Sequence, residues 1–88
     1  MNIVIITGAS SGMGREFVKQ LDTMVKVDEF WLIARRKERM EQLATDINHK
    51  CRIFAMDITD PTDLAKFKYS LKTEQPIIRI LVNSASFI

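Results

Sequence analysis

Four short, mainly apolar runs divide the 88-residue sequence, at residues 3–6, 30–34, 51–56 and 77–82. The first run is Ile-Val-Ile-Ile, and a continuous β-branched run of this kind is typical of a strand buried on both faces of a parallel sheet. The segments between the runs carry apolar residues at helical spacing. The sequence therefore predicts an α/β fold with the element order βαβαβαβ.

The third intervening segment also contains a well-defined helix start. Asp60 is a capping side chain, Pro61 suits the first helical position, and Asp63 places an acid in the first turn. The predicted apolar stripes of the three helices are Phe17, Val18, Leu21, Met24 and Val25; then Met40, Leu43, Ala44 and Ile47; then Leu64, Phe67 and Leu71. The alternation predicts a parallel sheet with right-handed crossovers, and we expect the strand order 3-2-1-4, the beginning of a doubly wound, Rossmann-type sheet. We therefore expect residues 1–88 to form a single, partial dinucleotide-binding domain.

Charge and composition narrow the classes of partner. The formal net charge is only +2, and the one basic cluster, residues 35–39, also contains Glu38, so we expect no nucleic-acid partner. The sequence has no apolar run of the ~20 residues that a membrane helix needs, and no secretory signal. Cys51 is the only cysteine, so no internal disulfide can form, and no Cys/His cluster has the spacing of metal ligands. We expect a cytoplasmic location, with neither membrane nor metal bound.

The densest motif is the glycine-rich turn at residues 7–14, between the first strand and the first helix. Glycine there allows a positive φ and a close approach of the backbone to a ligand, and the helix start behind it favours a pyrophosphate. The spacing excludes a Walker A loop, because Met13 stands five residues after Gly8 and no lysine follows Gly12. The common Gly-x-Gly-x-x-Gly fingerprint fails because Phe17 occupies its third glycine position. The alternative is a turn that only reverses the chain.

Four motifs in register resemble the short-chain dehydrogenase/reductase family. They are Thr-Gly-x-x-x-Gly-x-Gly at residues 7–14, Arg35 after the second strand, Asp57-Ile58 after the third, and Asn83-Ser84-Ala85 after the fourth. The resemblance covers the whole chain. It implies that the cofactor is bound by Gly8, Ser10, Ser11, Gly12, Met13, Gly14, Arg35, Arg36, Asp57, Ile58, Asn83 and Ala85.

The resemblance also implies the identity of the cofactor. In this family the residue at or just after the end of the second strand faces the adenosine ribose, where an acid suits NAD and a basic residue suits the 2′-phosphate of NADP. The sequence Ala34-Arg35-Arg36 contains no acid, so the resemblance implies NADP, with Arg35 as the main contact. The alternative is that both arginines only solvate a helix start. Asp57 is implied to accept a hydrogen bond from the adenine amino group, or, alternatively, to cap the loop before Asp60.

The catalytic residues of the family have no counterpart among the 88 residues. Hydride transfer there uses Tyr-x-x-x-Lys with an upstream Ser, all after the fourth strand. The only tyrosine, Tyr69, precedes that strand. Lys72 stands three positions after Tyr69, where the family motif requires four. Ser86 stands where the family has a glycine. We therefore assign no catalytic residue and expect this chain alone to be inactive. Two hypotheses stay open: a piece of an NADP-dependent oxidoreductase, whether a truncated gene product or a cleaved or cloned fragment, or a non-enzymatic nucleotide-binding or interaction module.

The fourth predicted strand has consequences for assembly. In the strand order 3-2-1-4, residues 77–82 lie at an edge and carry one charge, Arg79. An apolar edge is a template for pairing with another chain, and a parallel sheet needs both of its faces covered. We therefore expect a homo-oligomer that forms through this edge or through the uncovered sheet face.

Overall fold

The computed structural model describes residues 1–84, in which strands and helices alternate. In chain order they are β1 (Asn2–Thr7), α1 (Gly12–Met24), β2 (Glu29–Ala34), α2 (Lys37–Asp46), β3 (Lys50–Ala55), α3 (Pro61–Glu74) and β4 (Ile77–Asn83). The strands form one sheet in the order β3-β2-β1-β4, and every neighbouring pair is parallel. The predicted fold class and strand order are confirmed.

The register aligns the carboxyl ends of the strands at one edge of the sheet. Thr7 of β1 pairs with Ile33 of β2 and with Asn83 of β4, and Ala34 pairs with Ala55 of β3. β3 begins at Lys50, one residue earlier than predicted, because Lys50 pairs with Glu29 at the start of β2. All three βα connections therefore leave the sheet at the same edge, which is where ligands bind in open α/β sheets.

The two faces of the sheet are covered by different helices. Residues that alternate along the strands divide between the faces. Facing α1 and α2 is a cluster of Val4, Ile6, Ala9, Val18, Phe30, Leu32, Ala34, Met40 and Leu43; facing α3 is a cluster of Ile3, Ile5, Trp31, Ile33 and Phe67. β1 is buried on both faces, as its continuous β-branched run predicted, and β2 is buried in the same way. The core therefore lies around the two central strands, β1 and β2, and the glycine-rich turn begins where β1 leaves this core.

The buried face of α1 is rotated relative to the predicted stripe. Phe17 and Met24 are 40% and 74% exposed, whereas Val18 is fully buried. Phe17 and Met24 are seven residues apart, so they lie together on one flank of the helix. The buried residues of α1 are Gly14, Val18 and Asp22, which recur at every fourth position. The buried face of α1 thus includes a glycine and a carboxylate, neither of which belonged to the predicted apolar stripe.

The ends of α3 follow the sequence signals. The Asp60 side chain accepts a 2.8 Å hydrogen bond from the backbone N–H of Thr62, and Pro61 begins the helix. The helix ends at Gln75, whose φ of 46° is left-handed, and Pro76 follows it. Among residues 1–84, no helix has the length and apolar character that crossing a membrane requires.

Candidate functional site

A groove of about 670 Å³ lies at the carboxyl ends of β1, β2 and β3. Eight of the predicted site residues line it: Gly8, Ser10, Ser11, Met13, Arg35, Arg36, Asp57 and Ile58. Thr59 and Ser84 also line the groove, although the sequence analysis had given them no role. The groove thus brings together residues from three separate βα connections.

Gly8 forms the sharp turn at the end of β1. Its φ is 69°, a left-handed value that costs other residues free energy. Its N–H donates to the carbonyl of Ile33 at 2.8 Å, and its own carbonyl accepts hydrogen bonds from the backbone N–H and the hydroxyl of Ser11. These bonds fix the chain between β1 and α1, so that the start of α1 is held against the groove.

Ser11 caps the amino terminus of α1. Its side-chain oxygen accepts a 3.3 Å hydrogen bond from the N–H of Gly14, which satisfies one of the free donors of the first turn. The first N–H groups of a helix have no carbonyl partner within it, and the helix dipole makes this end partly positive. Ser11 and Met13 both line the groove. The arrangement therefore suits an anionic group.

Gly12 and Gly14 have different surroundings. A Cβ at Gly12 would meet no atom within 4 Å, whereas a Cβ at Gly14 would lie 2.1 Å from the carbonyl oxygen of Gly8 and 2.7 Å from the hydroxyl of Ser84. Gly14 is therefore required for the close packing of α1 against the ends of β1 and β4. Gly12 leaves open space beside the helix start, which a bound group can occupy. Neither residue lines the groove directly.

The end of β4 is tied to the end of β1. The hydroxyl of Thr7 donates to the side-chain oxygen of Asn83 at 2.7 Å, and the hydroxyl of Ser84 donates to the carbonyl of Thr7 at 2.5 Å. The predicted site residue Asn83 thus serves a strand-to-strand contact and lies outside the groove lining. Ala85, also predicted as a site residue, lies outside the described residues, as does Ser86.

Arg35 and Asp57 form an ion pair at the mouth of the groove. A guanidinium nitrogen of Arg35 lies 3.5 Å from Oδ2 of Asp57. The other carboxylate oxygen of Asp57, Oδ1, accepts hydrogen bonds from the hydroxyl of Thr59 at 2.6 Å and from its backbone N–H at 2.9 Å. These two bonds lower the pKa of Asp57; desolvation opposes them, and the charge of Arg35 adds a smaller lowering effect. Asp57 is therefore a carboxylate at neutral pH.

The loop after β3 shows the capping role that was the alternative for Asp57. Besides the two bonds to Thr59, the carbonyl of Asp57 accepts from the N–H of Asp60, and its own N–H donates to the carboxylate of Asp63 at 3.0 Å. The loop before α3 is thus organised around Asp57. Oδ2 of Asp57 takes no part in these bonds and is the oxygen next to Arg35.

The described residues contain no arrangement suited to acid–base catalysis in the groove. Tyr69 is 69% exposed on the surface of α3. His49 precedes β3 and therefore lies at the opposite edge of the sheet, where its ring nitrogen Nδ1 is 2.7 Å from the carboxylate of Asp22. No three His, Cys, Asp or Glu side chains within residues 1–84 are grouped to hold a metal ion. Within residues 1–84, neither Tyr69 nor His49 is part of the groove lining.

Comparison with known proteins gives consistent results. Residues 2–88 match the family model for short chain dehydrogenase. The very-long-chain 3-oxoacyl-CoA reductase of Candida glabrata is 38% identical over 85 residues, which cover 91% of this chain and 23% of that protein. The NADP-dependent 3-hydroxy acid dehydrogenase of Schizosaccharomyces pombe is 30% identical over 86 residues, with 93% of this chain and 33% of that protein covered.

Solved structures agree with the curated relatives. A short-chain dehydrogenase from Sphingobium yanoikuyae, in complex with NADPH, superposes with a TM-score of 0.80 at 31% identity, covering 99% of this chain and 35% of that one. The chain thus spans about a third or less of the length of these proteins. The similarity includes all seven strands and helices described above.

Proposed function

Because the chain belongs to the short chain dehydrogenase family, we propose that it forms the NADP(H)-binding part of an oxidoreductase acting on an alcohol or carbonyl substrate. When bound, the nicotinamide of the cofactor supplies the hydride acceptor or donor. The observation that carries the proposal is the position of Arg35 and Arg36, which follow β2 directly and line the same groove as the glycine-rich turn. Two relatives whose descriptions name NADP or NADPH support this choice over NAD.

The groove residues divide the binding of a dinucleotide among them. The capped start of α1 at Ser11, with open space at Gly12, suits the pyrophosphate. The guanidinium of Arg35 suits the 2′-phosphate, because its planar fork donates two hydrogen bonds to one phosphate group. Asp57 and Ile58, in the connection after β3, line the groove and are the residues that we assign to the adenine ring. Each residue binds or orients the cofactor, and none takes part in proton transfer.

Isothermal titration calorimetry with NADP⁺ and NAD⁺ tests the cofactor preference. We expect the protein to bind NADP⁺ more tightly than NAD⁺. Replacing Arg35 with Ala should weaken NADP⁺ binding about tenfold, as expected for the loss of a charged hydrogen bond, and leave NAD⁺ binding almost unchanged. Lys37→Ala is the control. This substitution removes the same charge two residues along the chain, and Lys37 is not part of the groove lining. Equal affinities of the wild type for both nucleotides would contradict the proposal.

We also propose that residues 1–88 by themselves transfer no hydride. Oxidation of NADPH by the purified 88-residue chain, followed at the absorbance of the reduced nicotinamide with ketone and aldehyde substrates, should not exceed the rate without protein. Turnover above that rate would mean that a catalytic group has been overlooked. The alternative, a non-enzymatic nucleotide-binding module, is distinguished by the gene. An open reading frame that continues past Ile88 into a Tyr-x-x-x-Lys sequence supports the oxidoreductase, and a stop codon there supports the module.

Two further parts of the proposal concern assembly and location. Among residues 1–84, β4 pairs only with β1, and three of its apolar side chains, Ile77, Ile78 and Leu81, are exposed. We propose that the 88-residue chain self-associates through this edge or the adjoining sheet face.

A cytoplasmic location is also proposed, since the single cysteine, Cys51, takes part in no internal disulfide. Burial, with the nearby negative charge of Asp22, raises the pKa of the Cys51 thiol to about 11.

A further inference from the structure

The carboxylate of Asp57 has different partners on its two oxygens. Oδ1 accepts hydrogen bonds from the hydroxyl and from the backbone N–H of Thr59. Oδ2 lies 3.5 Å from the guanidinium of Arg35, and both residues line the groove. The side chain of Arg35 is 73% exposed and belongs to the connection after β2, whereas that of Asp57 is anchored at Thr59. Of the two charged groups, Arg35 is therefore the one free to change its partner.

This pairing bears directly on the recognition of a 2′-phosphate. A guanidinium that binds a phosphate dianion must give up or share its contact with Asp57. The carboxylate also lies within a few ångströms of the place where the phosphate charge would be held, and like charges at that distance repel each other. A cofactor without the 2′-phosphate, such as NAD, can bind while Arg35 keeps its contact with Asp57, and it brings no phosphate charge for the carboxylate to repel. The Asp57 carboxylate therefore opposes NADP binding and is neutral or favourable toward NAD binding.

We propose that Asp57 tunes cofactor preference by acting as the counter-ion that Arg35 exchanges for the 2′-phosphate. This inference rests on the proposed function of the groove and adds a specificity-determining role to a residue for which the sequence indicated adenine contact or loop capping. Thr59 is a positioning residue in the same arrangement, because its two hydrogen bonds fix the carboxylate with Oδ2 toward Arg35. The ion pair between Arg35 and Asp57 makes the preference for NADP over NAD smaller than Arg35 would give without Asp57.

The test is the ratio of the dissociation constants for NAD⁺ and NADP⁺, measured by calorimetry on the purified protein. Asp57→Asn removes the charge but keeps an oxygen that accepts the Thr59 bonds. We expect this ratio to rise by about twofold to fivefold, in line with the strength of an exposed ion pair. The increase should shrink as the salt concentration is raised, because exposed charges are screened.

The matched control is Asp60→Asn. Asp60 lies three residues from Asp57 and carries the same charge, but its carboxylate caps α3 through the N–H of Thr62, and Asn is an equally good cap. We expect the ratio to stay at its wild-type value in this variant. In an Arg35→Ala background, Asp57→Asn should raise the ratio less than it does in the wild type, because the exchange of partners by Arg35 is lost and only the direct repulsion between carboxylate and phosphate remains to be relieved.

The outcomes separate this inference from the function on which it rests. If neither nucleotide binds the wild type, the proposed function fails. If both bind, and Asp57→Asn weakens both in parallel without changing the ratio, Asp57 is an adenine contact only and the counter-ion role is wrong. If Asp60→Asn raises the ratio as much as Asp57→Asn, the effect is one of overall charge and the counter-ion role is again wrong. A raised ratio in Asp57→Asn alone supports it.

Discussion

Gly8, Gly12 and Gly14 in the first turn meet three different physical requirements. Gly8 has a positive φ, which favours glycine for conformational reasons. Gly14 is in contact with the backbone of Gly8, which leaves no room for a Cβ. Gly12 has neither constraint, and its nearest surroundings are open. Glycine is therefore required by the fold at positions 8 and 14, whereas at position 12 we propose that it leaves room for the ligand.

This difference predicts opposite results for two alanine substitutions. Gly14→Ala should lower the free energy of unfolding by about 1–3 kcal/mol, because the carbonyl of Gly8 must move to admit the methyl group. Gly12→Ala should leave it unchanged or raise it by up to about 1 kcal/mol, because alanine is the better helix former. Gly12→Ala should instead weaken NADP⁺ binding about tenfold by filling the space of the pyrophosphate. Urea unfolding and calorimetry measure the two effects, and a Gly14→Ala protein as stable as the wild type would contradict the packing argument.

The residues around the groove also mark the limit of what the sequence could predict. The spacing of Gly8, Gly12 and Gly14 after a β-branched run indicated a ligand-binding turn, because that pattern depends only on neighbouring residues. The ion pair between Arg35 and Asp57 joins two separate connections, and it depends on side-chain conformations that no local pattern fixes. Arg35 and Asp57 could therefore each be proposed as site residues, but their contact could not be foreseen.

At the scale of elements, a buried carboxylate joins α1 to the connection between α2 and β3. Asp22 accepts hydrogen bonds from the backbone N–H groups of Asn48 and His49 and from both of their side chains, with His49 Nδ1 at 2.7 Å. The His49 ring stacks on Phe30 with the ring centres 4.5 Å apart. Burial would raise the pKa of Asp22, but the hydrogen bonds from Asn48 and His49 outweigh it and lower that pKa. The sequence analysis missed this contact because its partners are at least 26 residues apart.

Replacing Asp22 with Asn should therefore destabilise the fold, by about 1–3 kcal/mol at neutral pH, because buried donors lose their charged acceptor. The folded-state pKa of Asp22 lies below its unfolded value, so its stabilising contribution is complete above about pH 4 to 5 and is lost as pH falls through the folded-state pKa. The difference in unfolding free energy between wild type and variant should shrink over that acidic range. Asp46→Asn is the control, since its half-exposed carboxylate only reaches Arg15 at 4.0 Å, and it should change stability by less than about 0.5 kcal/mol. Equal effects of the two substitutions would refute the role of Asp22.

At the scale of the whole molecule, the strand order could be predicted and the fine register could not. Alternating strands and helices with right-handed crossovers allow few topologies, and the order 3-2-1-4 is the one among them that is typical of a dinucleotide-binding sheet. Between β1 and β4, however, the register shifts by one residue, since Ile3 pairs with Ile78 and Val4 with Ile80. Arg79 is the extra residue of this irregularity. It was predicted as an ordinary strand residue, because nothing in the alternation of residues 77–82 marks a bulge.

After the register shift at Arg79, β4 continues as the apolar edge strand that the sequence predicted, and this edge is expected to mediate self-association. Leu81 pairs with Ile5 of β1 and is 62% exposed on the face that α3 only partly covers. Multi-angle light scattering on the 88-residue chain over a range of concentrations should give a mass above that of one chain, most simply that of a two-fold dimer. Leu81→Lys should shift the mass toward a single chain, since lysine on an edge strand opposes pairing.

Tyr69→Lys provides the matched control for this shift. Tyr69 is 69% exposed on α3 and its replacement adds the same charge away from β4, so the mass should stay that of the wild type. Association that both substitutions weaken equally would indicate a general effect of added positive charge. A wild-type chain that stays a folded monomer at every concentration would show that β4 and the adjoining face are stable in water without a partner. In that outcome the few exposed apolar side chains of β4 amount to the scattered kind that monomeric proteins tolerate.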